Sequence, residues 1–221
     1  MSAKADPPRG NRLSAIGYRR DTLADKRWLK ADNRPSVCRS HRRKARGAIA
    51  VPPAGFVVDR TRIKLGEGGK VFAAAKAALG CWEHFRLGWA ETWPPETPIQ
   101  AGEVVAVVAR LFGLWWLNAC RIIYVVDEEG PVQRYGFAYG TLPEHAESGE
   151  ERFTVEWHAA DDAVWYDILA FSRPQQLLAR LGYPFARRLQ KRFARDSAAA
   201  MQRAVVEGQS TAQVKSDFCP G

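Results

Sequence analysis

Residues 134–157 read RYGFAYGTLPEHAESGEERFTVEW. Aromatic side chains occupy every second position in the first part (Tyr135, Phe137, Tyr139), and apolar ones do so again in the last (Phe153, Val155, Trp157). A period of two is that of a strand with one buried face. Between the two runs, Gly140, Pro143 and Gly149 supply turn chemistry. A connection this short joins antiparallel strands, because a parallel pair needs a crossover of a dozen or more residues. The stretch is therefore a hairpin, with its aromatic set expected to face the core.

The same reading extends outward. Strand-like runs at Gly102–Leu111, Trp115–Val126, Arg134–Leu142, Glu150–His158 and Val164–Phe171 are separated by short turn signals at Phe112-Gly113, Asp127 to Gly130, Pro143 to Gly149 and Ala160 to Asp162. They predict an antiparallel meander. The apolar tract Val104 to Val126 is interrupted by Arg110 and Arg121 and broken at Gly113, so it reads as two buried strands rather than a transmembrane segment. Upstream, Phe56 to Ile63 alternates as a first strand. Gly66-Glu67-Gly68-Gly69-Lys70 then reads as a tight turn into a helix; the phosphate-loop spacing is not met, and Glu67 would repel a phosphate. From Lys70, the positions Val71, Ala75, Ala78, Trp82, Phe85 and Trp89 step by four and three, which places them on one face of a core-facing helix. His84 falls off that stripe and is expected at the surface. The proline-rich Trp93 to Pro98 is expected as an extended loop.

Pro174 opens the last helical region, where its missing N–H costs nothing. Gly182 and Pro184 divide it, and the long piece spans Pro184 to Glu207. Phe185, Leu189, Phe193, Ala200, Met201 and Ala204 are expected inside, with Arg187, Arg188, Lys191, Arg192 and Arg195 on a solvated face. Gly208 is expected to end the helix and leave 208–221 as a flexible tail.

The fold class is α+β: a curved antiparallel sheet of about six strands packed against a long C-terminal helix, with one further helix after the first strand. That order resembles the helix-grip fold of Bet v 1 and START-type proteins, whose sheet curls around the C-terminal helix and often leaves an apolar cavity. The motif Gly136 to Phe153 goes further and resembles the signature of the bacterial and plant DUF1990 (UPF0548) family. Gly55-Phe56, Leu65 to Gly68, the Trp82 to Trp89 segment, Phe171 to Pro174 and Gln190 fit as well. The resemblance covers roughly residues 52–206 and implies no catalytic residues, because the family has no assigned chemistry.

Composition supports one core. The chain has 221 residues, 46% of them apolar, and eight Trp. Its net charge of +9 is not spread evenly: residues 1–50 hold fourteen Lys and Arg against four Asp, and the remainder is close to neutral. The division predicted is a basic, disordered extension over 1–50, a single α+β domain over 51–207 and the tail. The extension would attract anions weakly and non-specifically. Cys38, Cys81, Cys120 and Cys219 stand far apart without paired spacing, so neither a metal site nor a disulfide framework is expected, no cofactor is implied, and the setting is taken as cytoplasmic. The N-terminus lacks the apolar region of a secretory signal.

Candidate site residues gather at the hairpin. Tyr139 is expected to bring its hydroxyl near a cavity mouth, with Thr141 on the same side. His145, Glu150 and Glu151 stand at the loop end, where a histidine beside carboxylates suits general acid–base work. Glu150 and Glu151 are adjacent, so they should point to opposite faces. Arg121 interrupts a buried strand and needs an acid, with Glu103, Glu156 and Asp167 as candidates. The ligand-binding set is therefore Tyr139, Thr141, His145, Glu150 and Arg121, and the catalytic candidates are His145, Glu150 and Glu151. The leading expectation is a non-enzymatic module holding a small apolar or amphipathic ligand between sheet and C-terminal helix. The alternatives are a cyclase- or hydrolase-type enzyme using His145 with Glu150 or Glu151, and a nucleic-acid or anionic-membrane tether acting through residues 1–50.

Overall fold

The structure, a computed structural model, describes residues 55–142, 147–174 and 183–217. The basic extension and the loop carrying His145 lie outside the described residues. Strand β1 (Val57–Glu67) leads into helix α1 (Gly69–Gly80), a single 3-10 turn (Glu83–Phe85) and strand β2 (Ala90–Trp93). Strands β3 (Val104–Leu111), β4 (Leu114–Glu128), β5 (Val132–Thr141), β6 (Glu147–His158) and β7 (Ala163–Pro174) follow, and helix α2 (Tyr183–Asp217) comes last. The seven strands form one curled antiparallel sheet in the order β1-β7-β6-β5-β4-β3-β2. The meander runs as its sequence pattern requires, β1 closes onto β7, and α2 lies across the concave face. No helix among the described residues is long and apolar enough to cross a membrane.

The alternating pattern has one buried aromatic face, as the hairpin implied. Thr61, Ile168, Phe153 and Phe137 form one cross-strand row, and Phe137, Phe153 and Val155 are fully buried against the helices. The next row, Arg62, Asp167, Thr154 and Gly136, faces the convex side. That side is ionic. Asp167 is fully buried and accepts from Arg60 Nε at 2.8 Å and Arg152 Nη2 at 3.5 Å. Glu156 is held by Arg62 at 2.8 Å, Arg134 at 3.1 Å and His158 at 3.3 Å. Its burial raises its pKa, but the bonds from Arg62, His158 and Arg134 outweigh that and hold it below the usual carboxylate range. Because Arg60 is half exposed, solvent screens part of the Asp167 interaction. Asp167→Ala is accordingly expected to cost about 2 kcal/mol in urea unfolding, less than a fully enclosed pair would; a loss near zero would mean the ladder contributes no stability.

The sheet of about six strands has seven, the added one being β2, which forms between the stretch read as helix and the one read as loop. Two expectations are corrected. Helix α1 stops at Gly80 instead of running to Trp89, with Trp82 in the left-handed region at φ 58°. Of the stripe residues beyond the helix, Trp82 and Phe85 are nonetheless both buried. They reach the interior by a turn: Trp82 swings under the sheet, its ring 4.9 Å from Phe137 and its Nε1–H donating to the Thr97 carbonyl at 2.7 Å. An apolar stripe can thus pick out buried side chains without showing that the backbone stays helical. At the other end, α2 continues through Gly208 to Asp217. There a Cβ on Gly208 would meet that of Ala74 on α1 at 3.5 Å, an ordinary contact, so the glycine neither stops the helix nor is demanded by the crossing.

His84 is the third correction. It is fully buried rather than on the surface, enclosed by Trp82, Phe85, Phe137, Phe153 and Tyr166 at ring separations of 4.7 to 6.4 Å. Neither ring nitrogen has a hydrogen-bond partner among the described residues. Desolvation pushes its pKa down to about 3, because a charge in this enclosure would have nothing to replace water. With Trp82 and Phe85, and with Val71, Ala75 and Leu79 from α1, it belongs to the packed half of the interior. The other half is not filled.

Candidate functional site

The turn 112–113, the start of β1 and the start of α2 all lie at one end of the sheet. Toward that end the space between the concave face and α2 opens into a cleft of about 930 Å³. Small side chains account for it. Ala186, Ala194, Ala198 and Ala199 on α2 face Ala109 and Ala170 on the strands, and larger residues there would have closed the gap at interior packing density. Phe85, Phe193, Tyr139 and Ile168 wall the cleft off from the packed core.

The polar groups inside are few and placed by strand alternation. Tyr139 donates its hydroxyl to Glu151 Oε2 at 2.7 Å, and both line the cleft. Burial first, and the Glu151 carboxylate second, push the Tyr139 hydroxyl well above its ordinary pKa. The same two causes push up the thiol of Cys120, which lines the same wall. Toward the open end, Trp116 presents a buried Nε1–H that meets no acceptor among the described residues. The polar groups of the cleft thus include a carboxylate–phenol pair at the inner end and, nearer the mouth, a donor without an acceptor among the described residues.

The sequence-derived residues separate when placed on the sheet. Tyr139 and Thr141 line the cleft, with the Tyr139 hydroxyl at its inner end rather than near the mouth. The Thr141 hydroxyl, however, takes the Gly149 N–H at 3.1 Å and so closes the β5–β6 ladder. Glu150 and Glu151 do diverge: Glu150 contributes to the cleft wall, but its carboxylate accepts the Tyr124 hydroxyl at 3.0 Å while Glu151 meets Tyr139. Arg121 pairs in register with Val104 and Gly140 and is not part of the wall. Of the acids proposed for it, Glu156 and Asp167 belong to the convex ladder. His145 lies outside the described residues.

Sequence reasoning missed the latch at the mouth. Arg187, assigned to the solvated face of α2, forms a two-pronged ion pair with Asp59 of β1, its Nη2 2.6 Å from Oδ1. It also donates to Gln190 at 2.6 Å, and Gln190 donates to Ser172 of β7 at 3.3 Å. Deeper in, Tyr166 and Ser197 share a hydrogen bond at 3.0 Å, and Trp89 donates to Asp196 at 3.0 Å beneath Arg192. These links hold α2 at a fixed distance from the sheet and keep the cleft open. Phe185, expected inside, is instead 42% exposed at the rim.

Comparison with known proteins places the chain. The model of a family described as "Domain of unknown function (DUF1990)" matches residues 42–200; it begins inside the basic extension, earlier than the sequence motifs suggested. A UPF0548 protein of Dictyostelium discoideum is 41% identical over 170 residues, which is 73% of this chain and 78% of that one. A UPF0548 protein of Arabidopsis thaliana is 34% identical over 151 residues, 66% of this chain and 72% of its own. Among solved structures, a hypothetical protein from Helicobacter pylori superposes with a TM-score of 0.48 at 12% identity, covering 72% of this chain and 97% of that one. The chain belongs to the DUF1990 family, the family of the UPF0548 proteins.

Proposed function

We propose that the protein binds a small apolar or amphipathic molecule in the cleft between sheet and α2. The supporting observation is the cleft itself. Its volume of about 930 Å³ lies in the range of small-molecule sites, which are mostly apolar with a few convergent polar groups. An apolar body would occupy the alanine-lined space. A hydroxyl or other donor on the ligand would meet Glu151, and an acceptor would meet Trp116. The apolar surface that such a ligand buries supplies the affinity, at about 25 cal/mol per Å² before the cost of immobilisation.

Filling the space tests this reading without touching the polar groups. Ala198 is buried and lines the cleft, so Ala198→Phe would occupy volume a guest needs. In a thermal-shift screen of lipids and small amphiphiles, the wild-type chain is expected to be stabilised by about 2–3 kcal/mol at a hundredfold excess over Kd, and Ala198→Phe by none of the same compounds. Equal shifts in both proteins would place binding elsewhere.

A second reading rests on the Tyr139–Glu151 hydrogen bond at 2.7 Å, since a buried phenol beside a carboxylate can pass a proton. The enzyme it describes would use Glu151 with Tyr139 rather than Glu150, whose carboxylate is engaged by Tyr124. Recovery of a bound compound chemically unchanged after incubation with the wild-type chain would set this reading aside for that compound. Conversion by the wild type but not by Glu151→Gln would establish it.

A further inference from the structure

The tip between β3 and β4 carries its large apolar side chains in solvent. Phe112 is 81% exposed and Leu114 is 50% exposed. Phe112 also stands at φ 53°, a conformation costly for a bulky residue and ordinarily left to glycine. The next residue, Gly113, is the one that suits such a φ. Phe185 of α2 stacks on Phe112 with ring centroids 5.4 Å apart, so two elements distant in sequence join in one apolar knob at the mouth of the cleft. Neither hairpin closure nor core packing requires a phenylalanine at position 112.

The charges on the opening turns of α2 have one sign. Between residues 184 and 195 the charged side chains of α2 are Arg187, Arg188, Lys191, Arg192 and Arg195, with no acid among them. The first turn is also free of acids. A helix start normally takes the opposite sign to offset its dipole, so here the cations add to the positive end of the helix. Arg188 and Lys191 are exposed, and Arg110 lies at the tip over Trp115 at 6.0 Å.

We propose that the β3–β4 tip and the opening turns of α2 form a docking surface for an anionic phospholipid bilayer, with Phe112, Leu114 and Phe185 entering the interface and Arg188 and Lys191 meeting the headgroups. Apolar insertion and cation–headgroup attraction are the two signals that interfacial attachment combines. A protein partner would be served by the apolar knob alone, and a nucleic acid by the cations alone. Docking is independent of what fills the cleft, so vesicle binding and cleft occupancy can fail separately.

The experiment is flotation of the full chain with phosphatidylcholine vesicles, with and without phosphatidylserine. Phe112→Gly is the informative variant, because glycine relieves the backbone at φ 53° while removing the inserted ring. It is expected to bind phosphatidylserine vesicles about tenfold more weakly with no loss of thermal stability, and addition of Phe185→Ser should weaken binding further. Arg188→Glu with Lys191→Glu should abolish the preference for phosphatidylserine. Unchanged flotation of the Phe112→Gly, Phe185→Ser protein would assign vesicle binding to residues 1–50 and overturn the proposal. Absence of wild-type flotation would also overturn it, as would a wild-type dimer in sedimentation velocity that Phe112→Gly dissolves.

Discussion

Replacing Gly136 by alanine should destabilise the fold by more than about 3 kcal/mol. Gly136 stands opposite Thr154 in the ladder of β5 and β6. A Cβ there would collide with the Phe153 carbonyl and lie 2.8 Å from Thr154 Cα. These are backbone atoms of a central strand, so no side chain can rotate away, and relief requires prising apart the ladder that carries Phe137 and Phe153 into the core. Against a typical total of about 5–15 kcal/mol, such a loss is visible as a large fall in the urea midpoint. Gly80→Ala is the matching control: its Cβ would meet only the Tyr135 hydroxyl at 3.9 Å, and alanine is the better helix residue by about 1 kcal/mol. Equal midpoints for Gly136→Ala and the wild type would show that the two strands do not approach as described.

Acid should unfold the wild-type protein more steeply than a His84→Phe variant. In an unfolded chain an imidazole takes up its proton near pH 6.5, whereas the enclosed ring of His84 does so only at about 3. Between those values the unfolded state binds a proton that the native state does not. His84 therefore leaves stability untouched above about pH 6.5 and removes about 1.4 kcal/mol for each unit below it, roughly 2–3 kcal/mol by pH 4.5. Carboxylates held low by their partners, Glu156 and Asp196, contribute stability that is present above the ordinary carboxylate range and lost as the pH falls through it. They are common to both proteins and cancel in the difference. Urea titrations at several pH values give that difference directly. Parallel pH profiles for the wild type and His84→Phe would mean that the ring is not enclosed as its aromatic neighbours indicate.

The two residues also mark what was legible in the chain. The hairpin could be read because its alternation is local: a period of two, with aromatics on one side and Arg152, Thr154 and Glu156 on the other, has one sensible burial. The divergence of Glu150 and Glu151 followed from the same geometry. His84 was misplaced because its position on a helix was inferred from a stripe that outlasts the helix, and the left-handed Trp82 has no local signature of its own. Strand β2 was lost for the same reason. Arg187 and Asp59 stand 128 positions apart, and nothing in either neighbourhood names the other. The cleft is the least legible feature of all, since an alanine-rich face on α2 commonly means close packing. With those small side chains it becomes an opening as the sheet curves away while Arg187, Gln190 and Ser197 hold the helix in place.

A hollow that takes a guest is most directly tested by native mass spectrometry of the full chain after mild purification. The wild-type protein is expected to retain a small molecule as a discrete mass increment, released on collisional activation, and Ala198→Phe prepared alongside is expected to appear at its bare mass. Bare mass for both proteins, with and without amphiphiles added to the purified chain, would contradict the account.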